Sequence, residues 1–145
     1  MQETLAFTTG SARETGRYMR EMVYKYYMDM VSYVSYSLPE VFDMIKSIPY
    51  RDDHPDAEVL MRPLYTLQQR GYGGDCDCKA IALASYCLLV GIPFRFVAVR
   101  QFDKIQLHHV YLELYLYNEW IVADPTYGFN VLGREREPYA QRVII

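Results

Sequence analysis

An uncharged run from Ala80 to Val90 constrains the fold of this chain more than any other feature. The run is apolar on nearly all sides, which is typical of a helix that its neighbours bury. Gly91 suits a left-handed C-terminal cap and Pro93 prevents continuation of the helix. At the other end, Asp75 is a good N-cap residue. The sequence therefore predicts one central, buried helix that begins at Cys76.

Cys76 lies in the first turn of this predicted helix. Unpaired backbone N–H groups and the positive end of the helix dipole favour a thiolate there. The carboxylates of Asp75 and Asp77 oppose a further negative charge. A histidine that can become cationic would tip this balance. We therefore interpret Cys76 as a nucleophile that needs a histidine partner.

The length of 145 residues suffices for a hydrophobic core without disulfides or metal. We predict a single domain over 1–145, with a helical part over 1–70 and a catalytic helix and sheet over 71–145. The net charge of −3 and the scattered Lys and Arg residues disfavour nucleic acid as a partner.

No segment approaches the roughly 20 apolar residues of a membrane helix, and the first residues lack the pattern of a signal peptide. Three cysteines do not form a disulfide framework. We therefore expect no membrane partner and a cytoplasmic location, because a reducing compartment fits this cysteine content.

The first half of the chain is predicted to be helical after an extended lead-in over 1–10. Tyr and Met residues at helical spacing predict one amphipathic helix over 12–35. A shorter helix is expected over 37–48, and a third over 57–69 that bends at Pro63.

From Pro93 onwards the apolar pattern has a period of two, which is typical of strands. We predict strands over 93–99, 107–117, 119–124 and 139–145. A turn at Asn118 would join the second and third strands as a hairpin. Helices followed by an antiparallel sheet indicate an α+β fold.

Two histidines begin the second predicted strand, and their side chains must point to opposite faces. We select His109 rather than His108 because it shares the mixed polar and aromatic face. The hairpin places it across from the neighbourhood of Asp124 to Thr126, and the Asp124 carboxylate beside the imidazole would fix its tautomer and stabilise its cation. Cys76, His109 and Asp124 are the candidate nucleophile, base and orienting acid.

Motifs between residues 74 and 126 together resemble the transglutaminase-like superfamily. They are Gly74-Asp75-Cys76-Asp77, Gly91-Ile92-Pro93-Phe94-Arg95-Phe96, His109-Val110-Tyr111-Leu112-Glu113 and Trp120-Ile121-Val122-Ala123-Asp124-Pro125-Thr126. Residues upstream, from Ile48 to Pro63, are similar to small bacterial and phage-encoded members. The resemblance implies a papain-like architecture without a cofactor. It also implies acyl transfer from an amide of a protein or peptide through a thioester, with the Cys76 N–H holding part of the oxyanion.

Cys78 stands where similar members commonly carry a second aspartate. Its spacing from Cys76 is open to a zinc site or to a resolving thiol, but we favour a packing role. Tyr72 and Gln69, just upstream of the nucleophile, are candidates for a second oxyanion donor.

A function of another class is also open. The chain could be a phage or bacterial structural or assembly protein that keeps this fold as a protein-binding module. In that case its location would be the virion and its partner a virion or assembly protein.

Overall fold

The computed structural model describes residues 4–7, 11–51, 58–68 and 74–145. The helices are α1 (Ala12–Tyr26), a 3-10 helix (Tyr27–Tyr33), α2 (Leu38–Lys46), α3 (Pro63–Leu67) and α4 (Cys76–Val90). The strands are β1 (Thr4–Phe7), β2 (Glu58–Met61), β3 (Phe94–Arg100), β4 (His109–Leu116), β5 (Glu119–Ala123) and β6 (Gln141–Ile144).

Helix α4 is the centre of the fold. Every residue from Cys76 to Cys87 is buried, because the other helices and strands β2, β3 and β4 pack around this segment. The Asp75 carboxylate accepts a hydrogen bond of 3.1 Å from the Cys78 N–H, which caps the helix. Gly91 ends it in the left-handed region, with φ of 81°. The predicted central helix is confirmed, including both of its ends.

A four-stranded antiparallel sheet, in the order β5-β4-β3-β6, packs beside α4. Tyr117 and Asn118 both have positive φ, which is the conformation of a tight two-residue hairpin turn. Leu112 lies opposite Ala123 in the resulting register. The predicted hairpin is therefore confirmed, and so is the α+β fold class.

The predicted helix over 12–35 is divided in the structure. The α-helix ends at Tyr26, and residues to Tyr33 form the 3-10 helix. Asp29 in that segment pairs with Arg62 and accepts a hydrogen bond from the Leu64 N–H. This tertiary contact holds the segment against α3 and has no local sequence signal.

The predicted helix over 57–69 is wrong in its first part. Glu58–Met61 is strand β2, which pairs antiparallel with Thr4–Phe7. Pro63 begins α3 instead of bending a longer helix, since proline suits a first helical position. Local periodicity predicted a helix here because the strand that pairs with Glu58–Met61 is distant in sequence.

Across the described ranges, we find no helix with the length and apolarity to cross a bilayer.

Candidate active site

Cys76 is the first residue of α4, and only 9% of its surface is exposed. The Cys76 Sγ lies 3.3 Å from Asp77 Oδ1 and accepts a hydrogen bond from the Val110 N–H. Burial, followed by the carboxylates of Asp77 and Asp75, raises the pKa of the Cys76 thiol well above its ordinary value. The helix end alone would favour a thiolate, whereas this environment holds the group as a thiol at neutral pH.

His109 and Asp124 are brought together as the hairpin register predicts. His109 is the first residue of β4, Asp124 directly follows β5, and both are buried. The His109 Nε2 lies 2.7 Å from the Asp124 Oδ2. A carboxylate can only accept, so Nε2 donates, and Nδ1 of the neutral imidazole is left as an acceptor.

The contact between Cys76 and Val110 relates the thiol to this pair. Val110 is the residue after His109, so the Cys76 sulfur lies beside the first residues of strand β4. Tyr127 provides a second link, because its ring stacks on His109 and its hydroxyl is electrostatically influenced by Cys76. The three residues selected from the sequence therefore lie in one region, at the start of α4 and β4.

The second oxygen of Asp124 is also occupied. Its Oδ1 accepts hydrogen bonds from the Thr126 backbone N–H at 3.1 Å and from the Thr126 hydroxyl at 2.6 Å. The Asn130 side chain donates to the Asp124 carbonyl at 3.1 Å. These contacts fix the orientation of the carboxylate toward His109.

Lys79 is a residue that the sequence reasoning missed. Its side chain is buried, and Nζ donates to the carbonyls of Ile48, Thr126 and Lys46, with 2.8 Å to Thr126. Burial lowers the pKa of Lys79 to about 8, and the negative charge of Asp124 opposes this shift. At neutral pH the ammonium therefore ties α4 to the loop that orients Asp124. The available signal was a lysine, the one basic residue of a helix whose following residues are all uncharged.

A group of stacked rings beside His109 was also missed. The Tyr127 ring lies 6.2 Å from His109, between centroids, at an interplanar angle of 21°. The ring centroid of Tyr127 lies 5.3 Å from that of Phe129 and 5.2 Å from that of Tyr50. The Arg136 guanidinium carbon lies 4.8 Å from the Tyr127 centroid. Two of these rings directly follow the Asp124-Pro125-Thr126 motif, which was the only sequence signal for them.

The other residues considered from the sequence are Tyr72, Gln69, His108 and Cys78. Tyr72 and Gln69 lie outside the described residues. His108 directly precedes β4, and its Nε2 accepts a 3.0 Å hydrogen bond from the Gln101 N–H. Cys78 is buried, and its sulfur accepts a hydrogen bond from the Met61 N–H, as expected of a packing residue. Within 4–7, 11–51, 58–68 and 74–145, no three His, Cys, Asp or Glu side chains are grouped to hold a metal ion.

Comparison with known proteins finds a matching family model and solved structures of similar fold. The family model described as the transglutaminase-like superfamily matches residues 12–125. A solved structure from Cytophaga hutchinsonii, described as a "putative cysteine protease", is 18% identical with a TM-score of 0.49. The alignment covers 81% of this chain and 40% of that one, so this chain spans less than half of its length. No curated protein matches the chain.

Proposed function

The chain belongs to the transglutaminase-like superfamily, and we propose that it is a cysteine hydrolase or acyltransferase acting on an amide or peptide bond. Cys76 is the nucleophile, His109 the general base and then acid, and Asp124 the orienting carboxylate. The observation that carries the proposal is the buried His109–Asp124 hydrogen bond beside the helix end that bears Cys76.

The first half of the reaction forms a thioester. As the Cys76 sulfur attacks the substrate carbonyl, the thiol proton passes to Nδ1 of His109. The Cys76 backbone N–H lies at a helix N-terminus and holds part of the oxyanion charge. When the C–N bond breaks, the leaving amine takes the proton from His109.

The second half releases the acyl group. Water attacks the thioester after losing a proton to His109, and that proton then returns to the Cys76 sulfur. An amine could replace water as the acceptor, which would make the reaction a transamidation. We propose hydrolysis, with a protein or peptide as the substrate, because water is always present at the thioester.

The test uses Cys76→Ser with Cys78→Ser as its matched control, because both thiols are buried in the first turn of α4. Each protein is incubated with a defined peptide mixture, with and without a dansylated primary amine. We expect new peptide termini by mass spectrometry with the wild type and Cys78→Ser, and none with Cys76→Ser. Turnover that survives Cys76→Ser would contradict the proposal, and dansyl incorporation would assign transamidation.

A second candidate function is a protein-binding module, of the structural or assembly type. It is favoured by exposed apolar side chains along α1 and the segment after it. These are Tyr24, Met28, Val31, Val34 and Tyr36. A stable stoichiometric complex that persists in a Cys76→Ala, His109→Ala double variant, without turnover by the wild type, would support this alternative.

A further inference from the structure

We propose that Arg136, together with the rings of Tyr127 and Phe129, binds a substrate carboxylate within a few residues of the reacting bond. The proposal rests on the function proposed above and names its substrate class, an acidic peptide.

The rings form a continuous surface that begins at the proposed base. Tyr127 is half-buried and stacks on His109, and Phe129 lies almost parallel to Tyr127, at 3°. Phe129 is 66% exposed, and Tyr50, whose ring also contacts Tyr127, is 41% exposed. The exposed rings of Phe129 and Tyr50 suit the planar groups and apolar side chains of a bound peptide.

Arg136 adds an uncompensated positive charge to this surface. Its guanidinium carbon lies 4.8 Å from the Tyr127 centroid and 5.2 Å from that of Phe129. The residue is exposed, and among the described residues its guanidinium has no ion-pair or hydrogen-bond partner. A stacked guanidinium keeps its N–H donors available at the ring edges, in a geometry that matches a carboxylate.

The acids on either side of Arg136 are engaged elsewhere. Glu135 accepts hydrogen bonds from the Tyr111 hydroxyl and from Arg142. Glu137 accepts a hydrogen bond from the Gln101 side chain. Both neighbouring carboxylates are therefore engaged by other side chains, which leaves the Arg136 guanidinium open to the carboxylate of a ligand.

The Arg136 guanidinium contacts the Tyr127 ring, and that ring contacts the His109 imidazole, so one ring lies between the two groups. Since an extended residue spans about 3.3 to 3.6 Å, the carboxylate would lie within about three residues of the reacting bond. An acidic side chain and a free C-terminus present the same group at that distance. The shared chemistry is a carboxylate on a short peptide segment.

The first experiment does not require turnover. Cys76 is reacted with 5,5′-dithiobis(2-nitrobenzoate), an aromatic carboxylate, and with neutral 2,2′-dithiodipyridine, and the labelled site is identified by mass spectrometry. In both reactions the Cys76 thiolate attacks the reagent disulfide, forms a mixed disulfide and releases the other aromatic half as its thiolate. The ratio of the two rates thus reports recognition of the carboxylate rather than the amount of thiolate.

Arg136→Gln should lower this ratio by about 1.5- to fivefold, the range of one exposed ion pair. The matched control is Arg134→Gln, because Arg134 is an exposed arginine two residues away, and its ratio should not change. An equal ratio in the wild type and Arg136→Gln would overturn the inference, whether or not the protein turns over a peptide.

The second experiment distinguishes the sources of the carboxylate. Peptides containing Glu or Gln, each with a free or amidated C-terminus, are compared as substrates of the wild type and Arg136→Gln. A preference for Glu that is lost in the variant assigns a side chain, and a loss on amidation assigns the C-terminus. Turnover without either preference would overturn the inference and leave the proposed function standing.

Discussion

The His109 imidazole and the Asp124 carboxylate form a buried hydrogen bond of 2.7 Å between Nε2 and Oδ2. Because Thr126 occupies the other carboxylate oxygen, Asp124 cannot rotate away without losing two hydrogen bonds. The neutral imidazole is therefore held with its proton on Nε2 and its lone pair on Nδ1. This tautomer is the one that can take a proton from a thiol.

Asp124→Asn should invert the tautomer of His109. The Asn Oδ1 can still accept from Thr126, so its amide would donate to Nε2 and leave the proton on Nδ1. We expect Asn at this position to lower any Cys76-dependent turnover at least about 100-fold. The ¹⁵N chemical shifts of His109 measure the tautomer directly. His108 is an internal control whose shifts should not change, because its Nε2 accepts from the Gln101 N–H.

Asp77→Asn should make Cys76 more reactive at neutral pH. Loss of the carboxylate 3.3 Å from Sγ removes a charge that raises the pKa of the thiol, so the pKa falls and the thiolate fraction rises. We expect the alkylation rate by iodoacetamide at pH 7 to increase roughly three- to tenfold, with the pH profile moved toward acid.

Asp75→Asn is the comparison variant for that experiment. Asparagine preserves the helix cap, and Asp75 raises the pKa of Cys76 less than Asp77 does. Its effect on the alkylation rate should be smaller. A larger effect from Asp75→Asn than from Asp77→Asn would contradict this ordering of charges.

Lys79→Met should destabilise the protein through the carbonyls that it leaves without a donor. The ammonium contacts Ile48, Thr126 and Lys46, so we expect the free energy of unfolding to fall by about 3 kcal/mol. Lys104→Met is the matched control, because Lys104 is exposed and its replacement should cost no more than about 0.5 kcal/mol. Urea denaturation measures both, and equal losses would show that Lys79 has no special structural role.

Gly16→Ala should weaken the packing of α1 against Ile145. A Cβ at Gly16 would lie 2.8 Å from the Ile145 carbonyl carbon and 2.9 Å from its Cβ. We expect the free energy of unfolding to fall by about 1 to 2 kcal/mol, because the steric clash outweighs the higher helix propensity of alanine. Thermal or urea unfolding measures this change. Gly128→Ala has no atom within 4 Å of the new Cβ, and its stability should change by no more than about 0.5 kcal/mol.

Much of the scaffold was predictable because its signals are local. Asp75 and Gly91 bracket α4 in the sequence, and the apolar run between them indicates burial without any knowledge of neighbours. The pairing of His109 with Asp124 was also accessible. A two-residue turn at Tyr117 and Asn118 sets the register of every position in the hairpin, including its open end.

The sequence by itself thus determined the central helix, the hairpin and the candidate Cys, His and Asp residues, since periodicity, caps and turns act over a few positions. Only the tertiary structure decided that Glu58–Met61 is a strand, because its partner Thr4–Phe7 is far away in the chain. It also decided that burial raises the pKa of the Cys76 thiol. The side chain of Lys79 is buried whereas that of Arg136 is exposed, and this difference too follows from the tertiary structure. Burial and charge pairing depend on what packs around a residue, and that information is not contained in the spacing of its neighbours in sequence.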